Sequence, residues 1–474
     1  MDDDNGIVFP KNFIFGAATA SYQIEGGYDQ DGRGKSIWDV FSHTPNKTKN
    51  GETGDVADDH YNKLEEDIAL IKSLNLKHYR MSFSWSRILP DGTISNINKK
   101  GLNIITRKST YCWLMASNQQ LRCTIGICLK VLKINLVVVK AYSDYADLCF
   151  SIFGDRVKFW ITFNEPWVTA VLGYLTGGNA PGRCTGCTPN GGDSSREPYI
   201  VAHNQLVSHA EAMNIYNTKY RNNQKGSIGI TFNSDWFQAI SDDPKDVEAA
   251  ERHQQFFLGW YADPVFFGDY PQSMRDSCGD RLPQFTEQEK ELFKATKSDF
   301  FGINHYTSTY VGAPRKEKVK ENPTWYDDIN VFTSYEKDGK LIGDKADSSW
   351  LYVVPWGCRK LMNWISKRYG SVPIYITENG VDAPGESDLS ISQAVDDDFR
   401  LNYLKDYLKE FSNAVMIDKV NIKGYYVWSL MDNFEWADGY SKRFGITYVD
   451  YKSPDLKRTI KKSGRWYAEF IKNY

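Results

Sequence analysis

Short runs rich in aromatic and β-branched residues recur along this chain at intervals of several tens of residues, and helical spacing fills the stretches between them. The runs are Phe13–Ala18, His78–Trp85, Phe159–Glu165, Gly226–Phe232, Phe300–Tyr306, Ile374–Glu378 and Gly424–Ser429. The gap between Arg80 and Glu165 has room for one more, which would make eight. Stretches such as Tyr61–Ile71 and Asp397–Leu408 place apolar residues three and four apart, as an amphipathic helix does. Alternating strands and helices argue for parallel βα units, and eight of them for a closed (β/α)8 TIM barrel of the α/β class. In that architecture chemistry sits on strand ends and loops at the carboxyl-terminal face. No linker, low-complexity tract or repeat divides the 474 residues, so a single domain over 1–474 is expected.

Two of the runs end in a carboxylate. In Lys158–Trp167 an apolar strand-like run leads to Thr162-Phe163-Asn164-Glu165, and Pro166 then stops the ladder. The proline predicts extended geometry for Glu165. Ile374–Gly380 has the same form: a short β run, then Thr377, Glu378, Asn379 and a glycine. A lone strand-end Glu is often only a surface or ion-paired residue. Two, each beside an Asn, point to paired carboxyl chemistry of the kind that cleaves a glycosidic bond. There a separation of about 5–5.5 Å means retention through a covalent intermediate. One carboxyl must stay protonated as an acid while the other stays ionised as a nucleophile. Like-charge repulsion raises the first, and cations and donors hold the second.

Aromatic residues make up 14% of the chain, with 14 Trp and 29 Tyr, which suits either a large aromatic core or a pocket that stacks on sugar rings. A net charge of −3 gives no general attraction to nucleic acid or anionic membranes, so neither is an expected partner. No run approaches the ~18 apolar residues of a membrane helix, and no charged-then-apolar leader precedes Phe9-Pro10, so a cytoplasmic protein is expected. Eight Cys do not suggest a disulfide scaffold in a chain long enough to build a core. Cys184-Thr185-Gly186-Cys187 reads as a loop with incidental thiols, with a local disulfide as its rival.

Thr162–Pro166 and Ile376–Gly380 resemble the two signatures of the family 1 glycoside hydrolases, the β-glucosidase family. Phe13–Gly26 resembles that family's amino-terminal signature, Tyr79–Arg87 its second strand and Trp428–Trp436 its last. The resemblance implies a retaining β-glycosidase acting on a small-molecule β-glycoside, with no cofactor and no metal. It implies Glu165 as acid/base and Glu378 as nucleophile, with Arg80, Asn304 and Tyr306 holding the nucleophile. An Arg cannot lose its charge, which keeps a nearby carboxylate ionised. It also implies Asn164 on the sugar's 2-hydroxyl, and Gln23, Glu435 and Trp436 on the 3-, 4- and 6-hydroxyl side. Trp428 would be the stacking floor and Trp350 the platform for the leaving group, unless Trp350 is ordinary core. Glu435-Trp436-Ala437-Asp438 favours a neutral over a 6-phosphorylated sugar, and Glu165 in place of a Gln favours an O-glycoside over a thioglycoside.

The resemblance lapses over residues 104–138, where a third strand ending in His-Trp-Asp-Leu-Pro is expected. None of the seven His falls there. Codons for Leu121–Lys130 exist whose neighbouring frame reads Thr-Val-Tyr-His-Trp-Asp-Leu-Pro-Gln, which points to an out-of-frame segment. A barrel lacking that strand would leave unpaired backbone beside it, so the second reading of the chain is a catalytically impaired sugar- or protein-binding relative.

Overall fold

The computed structural model describes residues 6–117, 122–126, 136–187, 191–314 and 321–474. Among these, eight parallel strands close into a barrel: β1 (Ile14–Ala18), β2 (His78–Ser82), β3 (Arg122–Gly126), β4 (Phe159–Asn164), β5 (Ser227–Asn233), β6 (Phe301–Asn304), β7 (Ile374–Asn379) and β8 (Ile422–Trp428). Each pairs with the next in sequence, and β8 returns to β1 in the register Ile14↔Gly424 to Ala18↔Trp428. Seven of the expected runs are strands, with ends trimmed by a few residues. The run His78–Trp85 stops at Ser82, where pairing with Gly126 ends, and Trp85–Ile88 turns into a helix instead.

The third strand departs from expectation in a different way. Helix α1 (Lys99–Ser117) covers the start of the anomalous segment and α2 (Leu136–Phe153) its end. Between them β3 pairs all five of its residues with β2, from His78↔Arg122 to Ser82↔Gly126, and three with β4. The expected gap in the barrel wall is therefore closed. A ladder uses backbone N–H and C=O groups that nearly every residue carries, so even a run with no clean period can fill the place. Of Leu121–Lys130, where the neighbouring frame reads His-Trp-Asp-Leu-Pro, residues 122–126 form β3, and 121 and 127–130 lie outside the described residues.

Helices between strands bury one face against the barrel. In α3 (Asp398–Met416), Leu401, Leu404, Leu408 and Phe411 recur three and four apart, and all are buried. Leu404 is fully buried, so truncating it to Ala costs about 2–5 kcal/mol. Near the chain's end a buried ion network ties loops together: Lys461 pairs with Glu386 and with Asp432 (2.8 Å), Arg400 with Glu386 and Asp397, and Arg443 with Asp432.

Cys184 and Cys187 are joined in a disulfide, against the reading of incidental thiols. Gly186, at φ 80° with open space around its Cα, permits the tight turn that brings them together. Among the described residues no helix is long and apolar enough to cross a membrane.

Candidate active site

The carboxyl ends of the strands surround a cavity of about 490 Å³. Its wall includes Gln23, Arg80, Asn164, Glu165, Asn304, Tyr306, Trp350, Glu378, Trp428, Glu435 and Trp436, so every site residue expected from the sequence comes to one place. They arrive from six different strand ends and the loops that follow them.

Glu378 lies within β7 and is 5% exposed. Arg80, from β2, donates from Nη1 to Glu378 Oε1 and also to the Thr377 carbonyl (3.2 Å). The Tyr306 hydroxyl donates to Glu378 Oε2 at 2.8 Å. Burial, then the charges of Glu378 and Glu165, push the Tyr306 hydroxyl well up, so it remains a donor. A fixed cation and a donor that keeps its proton are the conditions for an ionised carboxylate.

Glu165 differs from the sequence expectation. Its backbone is left-handed (φ 48°, ψ 58°) rather than extended, and a helix over Pro166–Tyr174 starts at the very next residue. Proline suits that first helical position. The preference of a pre-proline residue for extended geometry is overridden by anchors on both sides: Glu165 N–H donates to the Thr231 carbonyl at 3.0 Å, and Asn304 Nδ2 donates to Glu165 Oε1 at 2.8 Å. Such a conformation costs about 1–3 kcal/mol and persists where the surroundings over-determine it.

Asn304, expected to hold the nucleophile, instead directs its amide to Asn164 Oδ1 (3.0 Å) and Glu165, while the Thr377 hydroxyl donates to its own Oδ1 (2.6 Å). Asn304 sits opposite Glu378 in the ladder, yet its side chain serves the other carboxylate. Arg80 Nη2 also reaches Asn164 Oδ1 at 2.6 Å. The result is one hydrogen-bonded relay, Glu378–Arg80–Asn164–Asn304–Glu165, in which Asn164 Oδ1 accepts from both Arg80 and Asn304.

On the far side, Gln23 donates to Asn433 Oδ1 (2.8 Å), the Phe434 carbonyl (3.0 Å) and Glu435 Oε2 (3.4 Å). Gln23 Oε1 is buried and has no hydrogen-bond partner among the described residues, which leaves an acceptor for a ligand hydroxyl. Burial, then the carboxylates of Asp382 and Glu378, push the Glu435 carboxyl well above the usual range. Trp428 is buried, whereas Trp350 is 43% exposed and meets Tyr306 edge-on at 5.8 Å, a rim position rather than core.

Trp167, Phe257 and Asp235 also line the cavity and carried no role in the sequence reading. Burial pushes the Asp235 carboxyl up to about 7. Its signal was visible: Asn233-Ser234-Asp235 is a polar cluster at the end of a predicted strand, like those at Glu165 and Glu378. No histidine lines the cavity among the described residues.

A (β/α)8 barrel that gathers two carboxylates, their donors and an aromatic-lined cavity at its carboxyl-terminal face defines a glycoside hydrolase. The chain belongs to Glycosyl hydrolase family 1, whose sequence profile matches residues 6–113 and 134–474. The break in that match falls inside 104–138 and narrows the anomaly. Beta-glucosidase 42 of Arabidopsis thaliana is 44% identical over 477 residues, covering 98% of this chain and 94% of that protein. A rice β-glucosidase mutant in a covalent complex with glucose superposes with a TM-score of 0.93 at 42% identity, covering 97% of this chain and 98% of that one. A β-glucosidase from the fungus Humicola insolens in complex with glucose gives 0.92 at 42% identity, covering 98% of both chains.

Proposed function

We propose that this glycoside hydrolase cleaves O-linked β-glucosides, or closely related neutral β-glycosides, by double displacement with retention, and that residues 1–474 act as one catalytic domain. The relay from Glu378 through Arg80, Asn164 and Asn304 to Glu165 carries the reading, because it gives two carboxylates of one site different partners. The ionised Glu378 attacks the anomeric carbon as Glu165 passes a proton to the departing oxygen, leaving a glycosyl ester on Glu378. Glu165, now ionised, takes a proton from water, and that water displaces Glu378 from the same face the leaving group occupied. Asn164 would hold the 2-hydroxyl, where a bond strengthens in the transition state. Gln23, Glu435 and Trp436 would grip the opposite edge of the ring, over Trp428. Trp350 would meet the leaving group at the rim.

The covalent glucose complex of the rice relative supports retention. Proton NMR of an aryl β-glucoside digest tests it directly: the β-anomer of the sugar should appear first. Appearance of the α-anomer first, or no turnover by well-folded protein, would remove the reading. A version carrying the neighbouring-frame sequence over 121–130 should gain activity, since it restores a histidine to the end of the third strand; equal activity in both would count against the out-of-frame account. The charge balance supports a small-molecule substrate rather than nucleic acid or a membrane. The Cys184–Cys187 disulfide favours an oxidising compartment over the cytoplasm.

A further inference from the structure

Next to the catalytic cavity lies a second one, of about 170 Å³, that the mechanism above does not use. The two share Ala20, Trp38, Ser82 and Trp436 as a common wall. Trp436 belongs to that shared wall, whereas Trp350 lines only the catalytic cavity. The second cavity therefore borders the site next to Trp436, one of the groups proposed to grip the ring edge opposite the leaving group.

Its chemistry suits a carbohydrate. Tyr22, Trp38, Trp85 and Trp436 supply ring faces, and Ser84 and Ser86 supply hydroxyls. Tyr22 and Trp436 lie nearly parallel, 10° apart with centroids at 6.4 Å. Aromatic faces with a few convergent polar groups are how proteins hold flat, hydroxyl-edged ligands. Trp85 stacks on Tyr145 at 4.7 Å, which fixes its ring, yet its buried Nε1–H has no hydrogen-bond partner among the described residues. A buried donor without a partner is costly, and a ligand hydroxyl would satisfy it. The charged residues in the wall largely cancel. Arg33 is paired with Asp39 (2.8 Å), and Glu25 with Arg87 (2.9 Å) and Lys108 (2.7 Å). That balance favours a neutral group over a charged one, and the two exposed charges that line the cavity, Lys35 and Asp91, are of opposite sign.

We infer that this cavity is a second sugar subsite, so that the chain accepts glycosides whose β-glucosyl unit itself carries another neutral sugar, and releases the disaccharide intact. The inference rests on the glycosidase reading above. The bond broken is still the one between the inner glucose and the leaving group, with Glu378 and Glu165 in the same parts. The outer sugar only binds.

The test compares an aryl β-glucoside with three aryl β-glycosides whose glucose bears a second glucose at O3, O4 or O6. First products are resolved by chromatography. For at least one linkage the intact disaccharide should appear before any free glucose. Filling the cavity with Ser86→Trp, or with Lys35→Trp at the mouth should the first not fold, should lower kcat/KM for that substrate about tenfold or more. Hydrolysis of the simple aryl glucoside should stay within about twofold, which also certifies the fold. Three results overturn the inference: glucose released stepwise from all three linkages, no release from them while the simple glucoside is cleaved, or equal loss on both substrate types in the filled variants. Failure to cleave even the simple glucoside overturns the glycosidase reading instead, and the inference with it.

Discussion

The ends of β4 and β7 spell almost the same thing, Thr-Phe-Asn-Glu-Pro and Ile-Thr-Glu-Asn-Gly, and yet the two carboxylates they present are held in opposite ways. Glu378 stays in its strand, buried, against a permanent cation and a hydroxyl donor. Glu165 is thrown out of its strand into a left-handed turn at a helix start, and a neutral amide, that of Asn304, donates to it. Local sequence chose the residue type, and the neighbouring strands chose its partners. Arg80 comes from β2 and Asn304 from β6, so neither environment can be assembled without the closed barrel.

That contrast can be broken at its strongest point first. Glu378→Gln removes the attacking atom and should lower kcat on an aryl β-glucoside by roughly 10⁴-fold or more; a loss under tenfold would dethrone it as nucleophile. Glu165→Gln should cost about 10²–10⁴-fold on a poor leaving group and far less on an acidic phenol, which departs without a proton. If its loss is the same across leaving groups of differing basicity, Glu165 is not the acid. Tyr306→Phe deletes one charge-assisted bond to Glu378, worth about 1.5–3 kcal/mol, and should lower kcat/KM by roughly 10–150-fold, with the melting temperature as a control for folding.

The smallest effect concerns Glu435. Its carboxyl is raised in the folded state above its unfolded value by burial and neighbouring carboxylates. The native protein then binds more protons than the unfolded chain as pH climbs from the ordinary carboxylate range, and stability falls over that window. Glu435→Gln has no proton to lose there. Melting curves should therefore show the variant gaining on the parent as pH rises from about 4 to 8. A constant or shrinking difference would show that Glu435 is not held protonated.

Much of this was written in the sequence because strand runs and strand-end polar clusters are local features. Seven strands and the polar residues around Glu165 and Glu378 could be named from such runs and from motif resemblance, whereas Trp167, Phe257 and Asp235 of the same wall were not. What failed was non-local. The left-handed turn at Glu165 depends on the Thr231 carbonyl of β5 and on Asn304 of β6, which the pre-proline rule cannot see. Asn304 faces Glu378 in register, but the choice between two carboxylates is a matter of side-chain aim. The third strand shows the reverse: its side-chain pattern had no clean period, and the backbone ladder formed regardless. Closure of the Cys184–Cys187 loop turned on one glycine's freedom rather than on spacing alone.

The buried ion network around Lys461 sets a limit on how the molecule can be shortened. Lys461 neutralises Glu386, in the loop after β7, and Asp432, just after β8, and all three side chains are sealed from water. A chain cut before Lys461 would keep every catalytic group and lose the cation that bridges those two loops, leaving Glu386 to Arg400 and Asp432 to Arg443. The carboxyl-terminal segment thus works as a clasp on the catalytic face, and a ribosome must finish it before the site that precedes it can settle.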